Sequence, residues 1–289
     1  MKRIWRAMLL IILSVLILCN AYAESEGDAP WTVTQYSAGG AVGMFYSIVN
    51  PSDGTLILVD SGYPENADQV RQVIEEHGGK IDYWFVTHYH ADHCGAFNAL
   101  YPEYKDKIGT IYITPLTWEE YEPNINPWDH PEYFQAFLEL TKDAENIVPL
   151  HRGDAFEIGS LKFTIFNAWD DEVTCSEPAN NCSLMFKVES ANTSFLFFGD
   201  VSFLSSYILE KYGAEALHAD YVQAGHHGWQ VPLEVYAAIN PTEVFIDAMD
   251  DLLNSPEYYD RHGVLVRWCE ENGIPLHRQS DAPFSVALN

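Results

Sequence analysis

The sequence predicts an α/β fold built from two halves of strands and helices that face each other. Three features predict it. An alternating, strand-forming text opens at Trp31, a second strand-rich opening appears at Phe156, and in each half later strands are separated by segments of helical spacing. A chain of 289 residues suffices for one large α/β domain or two small ones. No repeat of fixed period divides it, and we assign residues 31–289 to one domain.

The first residues stand apart. Lys2, Arg3 and Arg6 precede an apolar run from Ala7 to Leu18, and Ala21-Tyr22-Ala23 supplies the small-x-small pattern after which signal peptidase cleaves. Residues 1–23 are therefore expected to be a signal peptide. The mature protein is expected to be secreted, extracellular or in the cell envelope, with no membrane span. An uncleaved anchor is the other reading, for which the apolar run is short. Lipidation at Cys19 is disfavoured by the bulky Leu18 before it. Cleavage removes three basic and no acidic residues, so the formal charge goes from −27 to −30, and 15 less 3 leaves 12 Lys and Arg. Nucleic-acid affinity rests on such side chains neutralising phosphates, so a nucleic-acid partner is disfavoured. Small neutral or cationic substrates fit the field better, and no protein partner is inferable.

From Trp31 to Tyr36 the text alternates, Gly43 to Val49 is a second run, and the turn formers from Asn50 to Gly54 lead into Thr55 to Val59. This meander ends at Asp60-Ser61-Gly62. Val70, Val73, Ile74 and His77 then recur at helical spacing until Gly78-Gly79 stops the helix. The next strand, Ile81 to Val86, runs straight into Thr87-His88-Tyr89-His90-Ala91-Asp92-His93. As a strand passes into a loop, His88 and His90 share one face, while Asp92 and His93 curl to a neighbouring point. One short segment thus addresses two metal positions. Imidazole and carboxylate suit zinc, and also manganese or iron. An ordinary polar βα loop is the plain alternative.

The pattern HxHxDH resembles the metallo-β-lactamase superfamily, in which the first two histidines bind one metal and the Asp-His pair the second. The resemblance runs from Trp31 to the C terminus and implies a four-layer αβ/βα sandwich. It also places Asp60 beside the metal loop, where a carboxylate can accept a ligand histidine's spare N–H and fix its tautomer. A turn-forming aspartate is the plain alternative there.

Ala96 to Tyr101 reads as a short helix and Thr110 to Thr114 as a strand. From Pro115 to Ile147 the composition changes: six aromatics, Trp118, Tyr121, Trp128, Tyr133, Phe134 and Phe137, appear among carboxylates and four prolines. Residues 115–147 are expected to form an insertion beside the site, helical from Glu132 to Lys142. Aromatic faces with carboxylates can hold a quaternary ammonium; packing of the aromatics as a lid is the other account.

A hairpin is expected around Gly159-Ser160, with strands at Phe156 to Ile158 and Leu161 to Phe166, followed by Met185 to Val188 and Thr193 to Phe198. The last of these ends in Gly199-Asp200, and the resemblance makes Asp200 the carboxylate shared by both metals. Val201 to Tyr212 reads as a helix, and Ala219 to Ala224 as a strand ending in Gly225-His226-His227-Gly228. This ending is similar to the branch containing the hydrolase domain of DNA-uptake competence channels and the phosphorylcholine esterases. One histidine of the pair should complete the second metal's ligands. We choose His226, with His227 as a donor behind it or a substrate contact. Leu233 to Ile239 and Tyr258 to Glu271 read as helices, Thr242 to Ile246 as a strand and Ile274 to His277 as the last strand.

The chain departs from the pattern at one ligand. Most dinuclear members carry another histidine for the first metal, and here Asn180-Asn181-Cys182 stands in its place. The expected metal ligands are therefore His88, His90, Asp92, His93, Asp200 and His226. Water or Asn181 remains for the first ion, and one or two zinc ions are expected in all. Of the four mature cysteines, Cys94, Cys175, Cys182 and Cys269, the second and third could close a short disulfide loop, or all could be buried thiols. The resemblance implies hydrolysis by a metal-bound hydroxide with Asp92, Asp200 and His227 in the catalytic set. The expected substrate is a phosphodiester or phosphorylcholine-like ester. A β-lactam or lactone hydrolase and a non-catalytic metal-binding module are the alternatives; a redox di-iron role lacks any sign of a flavin domain.

Overall fold

The computed structural model describes residues 29–38, 40–170 and 177–289. The expected signal peptide, with Cys19, and Cys175, one of the two cysteines that could close a disulfide loop, lie outside the described residues. The opening meander forms β1 (Trp31–Gln35), β2 (Phe45–Val49) and β3 (Leu56–Asp60), joined by antiparallel pairing. After helix α1 (Ala67–Glu76) come β4 (Ile81–Val86), helix α2 (Ala91–Tyr104) and β5 (Ile108–Ile113). Short helix α3 (Trp118–Tyr121) and helix α4 (Pro131–Thr141) precede β6 (Ile147–Pro149), and β3 to β6 pair in parallel.

The second half repeats this plan. β7 (Ala155–Ile158), β8 (Leu161–Asn167), the short helix α5 (Pro178–Asn181), β9 (Met185–Glu189) and β10 (Ser194–Phe197) supply the antiparallel part. Helix α6 (Leu204–Leu217), β11 (Tyr221–Gln223), helix α7 (Leu233–Ile239) and β12 (Glu243–Ile246) follow. The short helix α8 (Asp250–Leu253), helix α9 (Gly263–Asn272) and β13 (Leu276–Arg278) complete the parallel part. A last strand, β14 (Phe284–Leu288), crosses to the first sheet and pairs with β1. The sheets thus run β14-β1-β2-β3-β4-β5-β6 and β13-β12-β11-β10-β9-β8-β7.

Side-chain alternation explains why the sheets stack. Along β3, Ile57 and Val59 face the other sheet and join Phe85, Phe163, Phe186 and Phe197, whereas Leu56 and Leu58 face α1 and α2 with Trp84 and Phe97. Aromatic rings fill the space between sheets, Phe85 lying 4.8 Å from Phe186 and 5.4 Å from Phe163. The outer face of the second sheet packs on α6, α7 and α9 through Ile208, Val235, Leu265 and Cys269. Helices, sheet, sheet, helices: this is the four-layer αβ/βα sandwich expected from the sequence. Among the described residues no helix is long and apolar enough to cross a membrane.

Several elements differ from the sequence expectation: α2 starts at Ala91 and not Ala96, so Asp92 and His93 lie in its first turn and not in a loop, α9 starts at Gly263 and not Tyr258, and β6 was not expected. β14 was not anticipated, because its half-buried residues carry little alternation and its partner β1 lies some 250 positions away. The helix expected from Val201 instead starts at Leu204, since Asp200, Val201 and Ser202 are buried in a loop beside the site.

Candidate metal centre

The carboxyl ends of β3, β4, β10, β11 and β12 converge on one edge of the sandwich, the place where α/β sheets generally form their sites. Asp60 ends β3 with a positive φ of 54°, a costly backbone state for a residue with a side chain. That turn buries its carboxylate: Oδ1 accepts from the Thr87 amide (2.7 Å) and Oδ2 from the Thr87 hydroxyl (2.6 Å) and His93 Nδ1 (2.7 Å). Asp60 thereby fixes the His93 ring with Nε2 turned inward. Thr87 Oγ1 in turn lies 3.3 Å from His88 Nδ1. His90 caps α2, which places Asp92 in the helix's first turn, where the helix dipole favours a carboxylate.

Two donor groups result. One is Asp92, His93, Asp200 and His227; the other is His88, His90 and Asp200, each group with donor atoms within 4.8 Å of one another. Asp200 belongs to both. Its Oδ1 is 3.2 Å from His93 Nε2, and its Oδ2 is 3.5 Å from His227 Nε2 and 3.7 Å from His88 Nε2. His227 Nε2 also lies 3.0 Å from Asp92 Oδ2.

The structure brings His88, His90, Asp92, His93 and Asp200 together with His227, while His226, the histidine chosen from the sequence, lies outside both groups. The reason is local. Both histidines have positive φ, 48° and 55°, inside the turn from Gly225 to Gly228, and a Cβ at Gly225 would fall 2.6 Å from the Val201 carbonyl. The turn aims His227 inward, where Nδ1 donates to the Asp247 carbonyl (3.0 Å) and leaves Nε2 facing Asp92. His262 Nδ1 holds the His227 carbonyl from behind at 2.8 Å. His226 instead runs along the cavity wall, 3.4 Å from the Asn180 amide and 5.2 Å from the Trp229 ring. Asn181, expected near the first ion, turns away to Ser202 and the Glu177 carbonyl.

The donors fit a metal ion. Nε2 of His88, His93 and His227 and Oδ1 of Asp200 are buried without a hydrogen-bond partner, which a folded protein rarely tolerates. Imidazole nitrogens facing carboxylates at 3.0–3.7 Å need positive charge between them. In the metal-free chain protons supply it. Burial opposes protonation of His93 and His227, but Asp200 and Asp92 outweigh it, with Asp60 adding to the effect at His93. His93 is held well above the usual imidazole range and His227 is pushed up to about 10. Burial, with His93 nearby, keeps His88 well below it. Burial also opposes ionisation of Asp200, yet His93 and His227 hold its carboxyl well below the usual range.

A cavity of about 540 Å³ opens above this floor, walled by Tyr63, Trp128, Glu177, Asn180, His226 and Trp229. The 115–147 segment forms part of that wall. Tyr121, Phe134 and Phe137 are buried against Tyr89 and Phe97, whereas Trp128 stays 63% exposed at the cavity mouth. Three residues were missed by the sequence reading: Asp247, His262 and Asp129. The first two act through the backbone of a distant turn, and Asp129, 3.2 Å from His90 Nε2, sits in a loop 39 positions away. No local spacing signals any of them.

A family model described as the Metallo-beta-lactamase superfamily matches residues 42–244. No curated protein sequence matches the chain. Among solved structures it is similar to CmlA, a diiron beta-hydroxylase from Streptomyces venezuelae, at 17% identity and a TM-score of 0.56, covering 89% of this chain and 54% of that one. It is also similar to the metallo-beta-lactamase fold protein YhfI from Bacillus subtilis, at 15% identity and a TM-score of 0.53, covering 89% and 99%. For Zn(2+)-bound PqqB from Methylobacterium extorquens the values are 12% identity, TM-score 0.54, and 88% and 99% coverage. At such identities the likeness shows the fold, and the chain spans about half the length of CmlA.

Proposed function

The chain belongs to the metallo-beta-lactamase superfamily, and from that premise we propose that it is a secreted, metal-dependent hydrolase of the Gly-His-His-Gly branch, acting on a phosphodiester or phosphorylcholine-like ester. The observation that carries this reading is the set of buried, unpartnered donor atoms on His88, His93, His227 and Asp200 at the floor of the cavity. His88, His90 and Asp200 would hold one divalent ion, and Asp92, His93, His227 and Asp200 a second, with zinc first among the candidates. When bound, such an ion supplies Lewis acidity and brings the pKa of water down to about 7.

The chain's own residues do the rest. Asp60 and the Asp247 carbonyl occupy the outward nitrogens of His93 and His227, so both rings present Nε2 to the centre in one tautomer. Asn180 and His226 stand on the cavity wall, where an amide N–H and a neutral imidazole can hydrogen-bond a phosphoryl oxygen. Trp128 and Tyr63 offer aromatic faces, with Glu177 on the same wall, a combination suited to a quaternary ammonium. The mature net charge repels free polyanions, and charge at the centre offsets this locally for a small anionic ester. Secretion rests on the pattern of residues 1–23 alone.

The test is turnover by metal-loaded protein. Hydrolysis of p-nitrophenyl phosphorylcholine or bis-p-nitrophenyl phosphate, with β-lactams and lactones left intact, is expected. Opening of lactams or lactones with both phosphoesters untouched would reverse the ranking. Less than one equivalent of metal after reconstitution, with no turnover, would favour a binding module instead.

A further inference from the structure

We propose that Asp129, carried by the 115–147 segment, is the positioning residue of the first metal subsite. Its carboxylate accepts the His90 Nε2–H and leaves Nδ1 to the ion, so affinity at that subsite depends on the segment being docked. The inference rests on the metal reading above and not on the identity of the substrate.

Each imidazole near the centre has one nitrogen held by the protein. His93 is held by Asp60, His227 by the Asp247 carbonyl and His88 by the Thr87 hydroxyl. For His90 the partner is Asp129, whose Oδ1 lies 3.2 Å from Nε2. Asp129 is not one of the group formed by His88, His90 and Asp200, and it meets His90 at Nε2, which leaves Nδ1 as that ring's free nitrogen. Its side chain is only 1% exposed against 17% for His90. Its other oxygen accepts from the Asn126 amide at 2.7 Å, so the loop pins the carboxylate before it meets the ring. The same segment also holds the neighbouring residue: Phe134 stacks on Tyr89 at 4.0 Å, between His88 and His90 in the chain. Partners of this kind are generally worth 10–100-fold in metal affinity. The effect matters most where protein ligands are fewest, and this subsite lacks the further histidine. Because Trp128 and His130 flank Asp129 and line the cavity, one segment touches both the ion's ligand and whatever enters.

The experiment titrates the metal-free full-length protein with Co²⁺, followed by its visible absorption, for wild type, Asp129→Ala, Asp129→Asn and Asn180→Ala. Wild type is expected to take two equivalents. Asp129→Ala should raise the Kd of the weaker one by about 10–100-fold and leave the tighter within about 3-fold. Asp129→Asn, which keeps a neutral acceptor, should fall between. Metal-free melting temperatures should match. An unchanged weaker equivalent in Asp129→Ala, equal weakening of both with a lower melting temperature, or a loss confined to Asn180→Ala would overturn the assignment. A wild type that binds no ion would defeat the metal reading as well. One that binds two ions and hydrolyses neither phosphoester would defeat only the substrate reading.

Discussion

The two donor groups share Asp200 but are built differently. Around Asp92, His93 and His227 every candidate donor is braced by the scaffold itself: Asp60 at a strand end, the Asp247 carbonyl at another, and the first turn of α2. Around His88 and His90 the scaffold offers one fewer side chain, and the brace on His90 comes from a loop of the 115–147 segment. The difference teaches that one donor group is preorganised by the strand ends and the start of α2, while the other depends on a loop of the 115–147 segment to hold His90. The second subsite should bind first and tightest, and the first should be the adjustable one.

The largest effect should come where the groups meet. Asp200→Ala removes a donor from both subsites, and we expect fewer than one retained equivalent of metal and no measurable turnover, read by metal analysis and a phosphoester assay. Retained full activity would remove the shared role. Next come the paired histidines. His227→Ala should lose the ion of the second subsite, whereas His226→Ala should keep both ions and change turnover alone, by about 10-fold as expected for a lost polar contact of ~1.4 kcal/mol. Equal metal loss in both variants would dissolve the distinction.

A subtler blow falls on the brace. Asp60→Asn should cost about 10–100-fold in affinity at the second subsite, measured by chelator competition, and leave the first nearly unchanged. The smallest effect is in protons. At pH 7 His93 and His227 hold protons that an ion must displace, while His88 holds none. Calorimetry in buffers of different ionisation enthalpy should therefore show proton release as His93 and His227 take up the ion. The sign for stability follows. These raised histidines stabilise the metal-free fold fully below pH 6.5, and that contribution is lost as pH rises through about 10. A melting temperature of the metal-free protein that rises over pH 8–10 would contradict it.

Much of this was legible in the sequence because the information is local. His88, His90, Asp92 and His93 are brought together by one strand end and one helix start, so spacing alone groups them. Asp200 follows an apolar strand and a glycine, and Asp60 ends another, positions that the family resemblance made meaningful. What spacing does not carry is direction. His226 and His227 are neighbours with the same left-handed backbone, and the contacts that hold His227 inward, to the Asp247 carbonyl and from His262, come from 20 and 35 positions on. Asp129 is hidden for the same reason, since its meeting with His90 depends on how Phe134 and Tyr121 seat the segment on Tyr89. Strand β14 escaped because its pairing with β1 joins opposite ends of the chain.

The most direct test of the account is a crystal structure of zinc-loaded protein with anomalous scattering measured at the zinc edge. The account predicts two peaks with the Asp200 carboxylate between them, one reached by Asp92, His93 and His227 and the other by His88 and His90. A peak bound by His226 with His227 turned away, or no peak within reach of Asp200, would contradict it.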